Sequence, residues 1–376
     1  MRLLVAPRTR RWEPAPLPNG VAELHQSLPG YRPTLLRTDF PGLVQRWCAR
    51  QVAVKIENDR WGLPSFKVVG ASWALVRALR DHLPADWAPD AGLPALKGRL
   101  TGVSLLAASE GNHGEALAYL ARLLELDCRV FVSNEVPDHV RSRICAQGAE
   151  VIVVPGTYDD AVAASAAAVT EDRVLVSDTS WSGYEDVPQA VAVGYSTILR
   201  ECSEQLTSTS APVPDLVVVP LGVGALASAV IDHFARIGSD PVVVGVEPSA
   251  AACVMAAISA DRIVSLTGPL ESRLSGLNCG TTSMVAWPSL RAGLDAVVAL
   301  DDDEGVAGSV LAEQMKLHVG PCSGAALAAA DALLKHPARR AVLGLPEQPS
   351  VLILATDGRP APATDAPTYP QEAQNV

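Results

Sequence analysis

Short runs of consecutive apolar residues, rich in valine, recur at 103–107, 129–132, 151–154, 173–176, 216–219, 242–246, 295–300 and 351–355. Continuous rather than alternating apolarity marks strands covered on both faces, which predicts parallel sheets. Between the runs lie amphipathic stretches such as 115–126 and Ala225–Arg236, whose period predicts helices. Strand and helix alternate throughout, so the expected class is α/β with helices on both sheet faces. The first four runs fall between residues 100 and 180. The others follow Pro212 and Pro214, a breaker-rich link after a helical stretch at 189–205. Two lobes with a cleft between them is the simplest arrangement.

Composition narrows the partners. The 376 residues are 48% apolar and 19% charged, enough to bury a large core. Lys and Arg number 30 against 41 Asp and Glu, a formal charge of −11 with no basic stripe, which argues against nucleic acid. The opening residues lack the apolar stretch of a signal peptide. No run approaches the roughly 20 apolar residues that span a bilayer. A cytoplasmic protein with no membrane partner is the expectation. Seven cysteines occur without a CxxC pair, so neither a metal site nor a disulfide scaffold is indicated. Lysine is scarce: only Lys55, Lys67, Lys97, Lys316 and Lys335.

Four segments carry candidate chemistry. Gly222, Val223, Gly224 and Ala225 follow the run at 216–219 and open a helix, where backbone N–H groups can hold an anion. Tight packing alone also explains such a turn, and the glycine spacing is too sparse for a dinucleotide fingerprint. The segment from Gly62 to Lys67 leads into apolar positions at helical spacing (Phe66, Val69, Trp73, Val76, Leu79), so Lys67 falls in a first helical turn. A surface lysine is the bland reading. The positive helix end would lower the pKa of its amine, as a Schiff-base lysine requires. Ser109, Glu110, Gly111, Asn112, His113 and Gly114 follow the run at 103–107, at a strand end where ligands gather in open α/β sheets. Ser109 or Asn112 could instead be helix caps. Thr356, after the last run, is either a turn former or a hydroxyl donor to a ligand ring.

In this order the segments resemble the fold type II pyridoxal-phosphate enzymes, the tryptophan synthase β-like family. Within it, Glu57-Asn58-Asp59-Arg60-Trp61-Gly62-Leu63-Pro64-Ser65-Phe66-Lys67 resembles the cofactor-lysine motif of the diaminopropionate ammonia-lyase branch. Residues 177–184 resemble its D-T-x-W-x-G-Y segment, Gly276-Leu277-Asn278-Cys279-Gly280 its G-L-x-C-G turn, and Ala355-Thr356-Asp357-Gly358 its closing S-T-E-G. The resemblance spans about residues 30 to 358.

The resemblance implies two α/β domains with pyridoxal 5'-phosphate in the cleft: a large cofactor-binding domain of residues 1–80 and 187–358, a small one of 81–186, and a flexible tail of 359–376. It further implies that Lys67 holds the cofactor and acts as a base, and that Gly222, Val223, Gly224, Ala225 and Leu226 bind its phosphate. Thr356 would face the ring nitrogen, Asn112 the ring hydroxyl, and Ser109, Asn112 and His113 the substrate. Asp178 would be one acid–base group and Glu110 the other, standing where the family has aspartate. Cys253 and Cys279 occupy positions where relatives can form a disulfide; buried thiols are the alternative. The expected reaction is α,β-elimination from a small amino acid, 2,3-diaminopropionate, to pyruvate and ammonia, in a homodimer. Serine or threonine dehydration, or β-replacement making an unusual amino acid, stays open because of Glu110. A non-catalytic binding module and an NAD-dependent dehydrogenase are the remaining rivals.

Overall fold

The computed structural model describes residues 1–7, 12–268 and 270–358, so the expected tail at 359–376 lies outside the described residues. Eleven strands are described: β1 Arg2–Val5, β2 Leu36–Arg37, β3 Gln51–Ile56, β4 Ser104–Ala108, β5 Asp127–Ser133, β6 Glu150–Val154, β7 Arg173–Leu175, β8 Leu216–Pro220, β9 Val242–Pro248, β10 Ala296–Leu300 and β11 Ser350–Ala355. They form two sheets, β1-β10-β9-β8-β11-β3-β2 and β6-β5-β4-β7. The smaller sheet is parallel throughout. In the larger sheet β10, β9, β8, β11 and β3 run parallel, while β1 and β2 close the two edges antiparallel.

The continuous apolar runs have a direct structural cause. In β8, Leu216 and Val218 join one core cluster with helix Pro321–Leu334, whereas Val217 and Val219 join another with helix Ala225–Arg236. Successive side chains leave a strand on opposite faces. With helices on both faces, neither set can be polar.

All eight runs read from the sequence are strands. Three further strands were not anticipated. β3 was hidden because Lys55 interrupts its apolar pattern, yet that lysine is fully buried against Glu201. β1 and β2 are short edge strands with little apolar signal. The helix expected at 189–205 is instead two, Asp186–Gly194 and Ser196–Ser208, divided at Tyr195. The helix expected at 115–126 begins earlier and runs Asn112–Leu124, and the one after Lys67 ends at Ala78.

Candidate active site

One cavity lies against the carboxyl ends of strands from both sheets. β4 leads into Ser109, β7 toward Asp178, β8 into Gly222, and β11 directly into Thr356. Every sequence-predicted site residue lines this cavity: Lys67, Ser109, Glu110, Asn112, His113, Asp178, the five residues at 222–226, and Thr356. They come from five separate stretches of chain. Ligands gather at such strand ends because loops there converge without blocking one another.

Lys67 is the first residue of helix Lys67–Ala78. Its Nζ lies 2.7 Å from Oδ2 of Asp178, and both side chains are largely out of water. Burial opposes the charged amine, but the Asp178 carboxylate outweighs it and holds the Lys67 pKa above its ordinary value. Burial likewise opposes the carboxylate, and Lys67 with His113 keeps Asp178 well below the usual range. The expectation that the helix end leaves Lys67 a neutral amine is therefore corrected. A facing carboxylate at 2.7 Å is a full opposite charge and outweighs the fractional charge of a helix terminus.

The loop before Lys67 is fastened by buried charge. Arg60 donates to both oxygens of Glu57, at 2.7 and 3.0 Å, and to both oxygens of Glu201, at 2.8 and 2.9 Å. Lys55 Nζ donates to Glu201 and to the Thr34 carbonyl, each at 2.8 Å. Two cations and two anions, all essentially inaccessible to water, make a neutral set. Such an arrangement is tolerated in a core only when every charge is paired. The Glu57 and Arg60 positions of the lysine motif thus fix the backbone leading to Lys67.

Asp178 sits in a segment braced by its own motif residues. The Tyr184 hydroxyl donates to the Leu175 carbonyl at 2.8 Å and accepts from the Ser177 N–H at 3.0 Å. The rings of Trp181 and Tyr184 stack with centroids 4.5 Å apart. Ser180 Oγ lies 3.0 Å from Ser283 Oγ and accepts from the Met284 N–H, tying the segment to the stretch before helix Trp287–Gly293. His113 donates from Nε2 to the Val176 carbonyl at 2.8 Å, which leaves Nδ1 facing Asp178 Oδ2 at 3.8 Å.

Two expected substrate ligands carry local structural duties as well. Ser109 Oγ accepts from the N–H groups of Gly111 and Gly114, at 2.9 and 2.8 Å, so from two residues before the N-cap, Gly111, it braces the first turn of the helix Asn112–Leu124 and keeps only its hydroxyl hydrogen for a ligand. Asn112 Oδ1 accepts from Arg143 at 3.3 Å. Glu110 stands exposed at the rim, and partial burial there still raises its carboxyl above the ordinary range.

The glycine turn opens a helix at the cavity wall. Gly224 has φ 98° and caps the helix Ala225–Arg236. A Cβ on it would sit 2.5 Å from Leu290 Cδ1, and the positive φ itself favours glycine. The first helical turn leaves the Ala225 and Leu226 N–H groups without intrahelical acceptors. Opposite, Thr356 is held by its neighbour. Asp357 accepts from the N–H groups of Cys322 and Ser323, at 3.1 and 2.8 Å, and the Gly358 N–H donates to the Pro64 carbonyl. The end of β11 is thereby bound to both the loop before Lys67 and the helix Pro321–Leu334.

Sequence reasoning missed several lining residues: Tyr158, Tyr195, Arg143, Cys322 and Asp357. Tyr158 and Arg143 lie in helices with weak amphipathic pattern, and Tyr195 falls inside an apolar helical run where an aromatic reads as core. Asp357 alone had a signal, as a carboxylate within the closing motif. Cys253 and Cys279 are both free thiols, and burial pushes the Cys279 thiol up to about 12. No group of metal-holding residues is present among the described residues.

Comparison with known proteins fits this geometry. A family model described as pyridoxal-phosphate dependent enzyme matches residues 28–354. Diaminopropionate ammonia-lyase of Salmonella typhimurium is 31% identical over 291 residues, which is 75% of this chain and 72% of the relative. The Escherichia coli K12 protein of that name is 27% identical over 349 residues, 89% of this chain and 87% of the relative. A crystal structure of the Escherichia coli diaminopropionate ammonia lyase in complex with D-serine superposes with a TM-score of 0.82 at 26% identity, covering 91% of this chain and 88% of that one. The cavity suits the cofactor in the family's description: it offers a primary amine, a cradle of free N–H groups that a Cβ would fill, and a hydroxyl at a strand end. The chain belongs to the pyridoxal-phosphate-dependent enzyme family, as an α/β protein of fold type II.

Proposed function

We propose that this protein catalyses α,β-elimination from 2,3-diaminopropionate, releasing pyruvate and ammonia. The observation that carries the reading is Lys67 Nζ at 2.7 Å from Asp178 Oδ2, inside a cavity that also holds the glycine cradle and Thr356. The likeness to the two diaminopropionate ammonia-lyases over most of both chains supports the choice of substrate.

Pyridoxal phosphate, when bound, supplies a conjugated system that accepts electrons and so acidifies the substrate Cα–H. Lys67 is the amine that would hold it. The N–H groups at 222–226 would hold its phosphate, Thr356 would meet its ring nitrogen, and Asn112 its ring hydroxyl. The Lys67 ammonium must give up a proton before it can act, because a charged amine is not a nucleophile, and Asp178, 2.7 Å away, stays ionised and orients the amine. The neutral amine then serves as a base toward Cα. Ser109 gives its remaining O–H to the substrate carboxylate, and His113, held through Nε2, steadies Asp178 from its other side. Glu110 at the rim is the second acid–base group, one methylene longer than the family's aspartate.

We assign the large domain to residues 1–80 and 187–358 and the small domain to 81–186, in keeping with the two sheets. The acidic, lysine-poor chain and its free thiols accord with a cytoplasmic homodimer acting on a free amino acid.

The test is ammonia and pyruvate release from both enantiomers of 2,3-diaminopropionate, with serine, threonine and O-acetylserine alongside. Fastest turnover of diaminopropionate is expected; fastest turnover of serine or threonine would make this a dehydratase. Lys67→Ala protein that still carried a covalently attached, borohydride-reducible cofactor would overturn the lysine assignment.

A further inference from the structure

Tyr195 has no part in the reading above, yet its position is unusual for a core aromatic. It stands at the break between helices Asp186–Gly194 and Ser196–Ser208 and is 1% exposed. Its ring packs on Phe66, the residue before the lysine, with centroids 4.8 Å apart. Gly70, one turn further along the same helix, makes room for it: a Cβ there would lie 2.5 Å from Tyr195 Cε1 and 2.8 Å from Cζ. The phenol is therefore wedged against both sides of Lys67 in sequence.

Its hydroxyl is buried and makes no hydrogen bond of ordinary geometry with any described residue. Buried phenols normally find a partner, because stranding one costs about 1–3 kcal/mol. Tyr195 lines the same cavity as Lys67, and its phenol feels both the lysine and the Asp178 charge. Burial, opposed by Lys67 and reinforced by Asp178, pushes its pKa up to about 12, so it stays a neutral phenol. The other ionisable groups around the amine are Asp178, His113, Tyr158 and Cys279.

We infer that Tyr195 Oη is the second hydrogen-bond acceptor of the Lys67 amine and fixes the direction of its lone pair during Cα–H cleavage. The inference rests on the assignment of Lys67 as the base. A neutral amine has two N–H bonds and one lone pair. If Asp178 Oδ2 takes one N–H and Tyr195 Oη the other, the lone pair is left with a single direction. When the Cα–H bond breaks, its proton forms the third N–H of Lys67 and its electron pair stays with the substrate. The phenol gains and loses nothing; it is a positioning residue. Without it the amine could rotate about its terminal bond with one N–H loose, and misalignment of that kind is costly.

The first readout needs neither substrate nor cofactor. In the apoprotein, pulse labelling of Lys67 by an amine-reactive reagent across pH, followed by peptide mass spectrometry, gives the amine's titration midpoint. Loss of an acceptor from the ammonium in Tyr195→Phe should lower that midpoint by about one pH unit. The second readout is the holoenzyme with Cα-deuterated substrate: Tyr195→Phe should slow turnover about 10- to 100-fold and enlarge the primary isotope effect on kcat, with KM little changed. Phenylalanine keeps the ring packed on Phe66, and matching melting temperatures check the fold. If that variant does not stay soluble, Gly70→Ala displaces the same ring and should move both readouts in the same direction. An unmoved midpoint or an unmoved isotope effect in folded protein overturns the inference. A reducible cofactor persisting in Lys67→Ala would overturn the underlying assignment instead, so the two failures are distinct.

Discussion

Glu201 accepts from Arg60 on both carboxylate oxygens, at 2.8 and 2.9 Å, across 141 positions of sequence and wholly inside the protein. The pair links the helix Ser196–Ser208 to the loop that ends at Lys67. Removing the Glu201 carboxylate leaves Arg60 with Glu57 alone and Lys55 with only the neutral acceptors of Thr34 and Gln205. Breaking a buried pair in this way costs about 3–5 kcal/mol, since the orphaned charge stays desolvated. Glu201→Ala should accordingly lower apoprotein stability by about that amount in urea unfolding, and Glu201→Gln by less because the amide oxygen still accepts. A loss under about 1 kcal/mol for the alanine variant would mean that water enters and solvates the cations.

The Lys67–Asp178 pair makes a prediction about pH. Asp178 is held below its unfolded value, so its contribution to stability is present above the unfolded carboxylate pKa and lost as pH falls through the folded one. Lys67 is held above its unfolded value, so its contribution is present below that value and lost as pH rises through the folded one. With unfolded values of about 3.9 and 10.4, both contributions are complete between about pH 5 and 9. The stability difference between wild-type apoprotein and Asp178→Asn should be flat across that window and narrow below about pH 4 and again above about pH 10. A slope near neutrality would show that the pair is not formed.

The sheets were legible because their strands are covered on both faces, which leaves an unbroken apolar signature; β3 escaped because a buried cation inside it, Lys55, reads as a surface residue until Glu201 is seen opposite. The cavity residues were legible where chemistry coincides with a chain irregularity, as at the turn of Gly222 and Gly224. Asp178 became visible through motif resemblance, its partner lying 111 positions away. The charge state of Lys67 was not legible, since it depends on that tertiary contact rather than on the helix end. Tyr195 was invisible for a related reason: in sequence it belongs to an apolar helix, and only the break between two helices and the unpartnered hydroxyl set it apart.

Glu110 should divide the two substrate enantiomers. It stands at the rim, where the family resemblance places an aspartate, and its reach is longer by one methylene. A displacement of about an ångström costs roughly a hundredfold in rate. One enantiomer of 2,3-diaminopropionate should therefore be turned over far more slowly than the other, and Glu110→Asp should narrow the gap by about 10- to 100-fold. A base must be ionised and this carboxyl is raised, so activity on the slower enantiomer should climb with pH through a value above the ordinary glutamate range. Equal kcat/KM for both enantiomers in wild type, unchanged by Glu110→Asp, would remove Glu110 from the chemistry.

Gly224 tests the cradle without touching any reacting group. Its φ of 98° is strained for an L side chain, at a cost of about 1–2 kcal/mol, and a Cβ would press on Leu290 Cδ1 at 2.5 Å. Leu290 is fully buried, so relief of the contact disturbs either its packing or the turn, and the positive φ adds strain to the turn itself. A shift of the turn reorients the N–H groups of Ala225 and Leu226. Gly224→Ala should weaken binding of pyridoxal phosphate to the apoprotein by at least about tenfold, as tenfold corresponds to only ~1.4 kcal/mol. Free pyridoxal, which lacks the phosphate, should lose much less. Equal losses for the two ligands would place the damage in the fold rather than in the phosphate cradle, and the separation between them measures how much of the cofactor's affinity the glycine turn supplies.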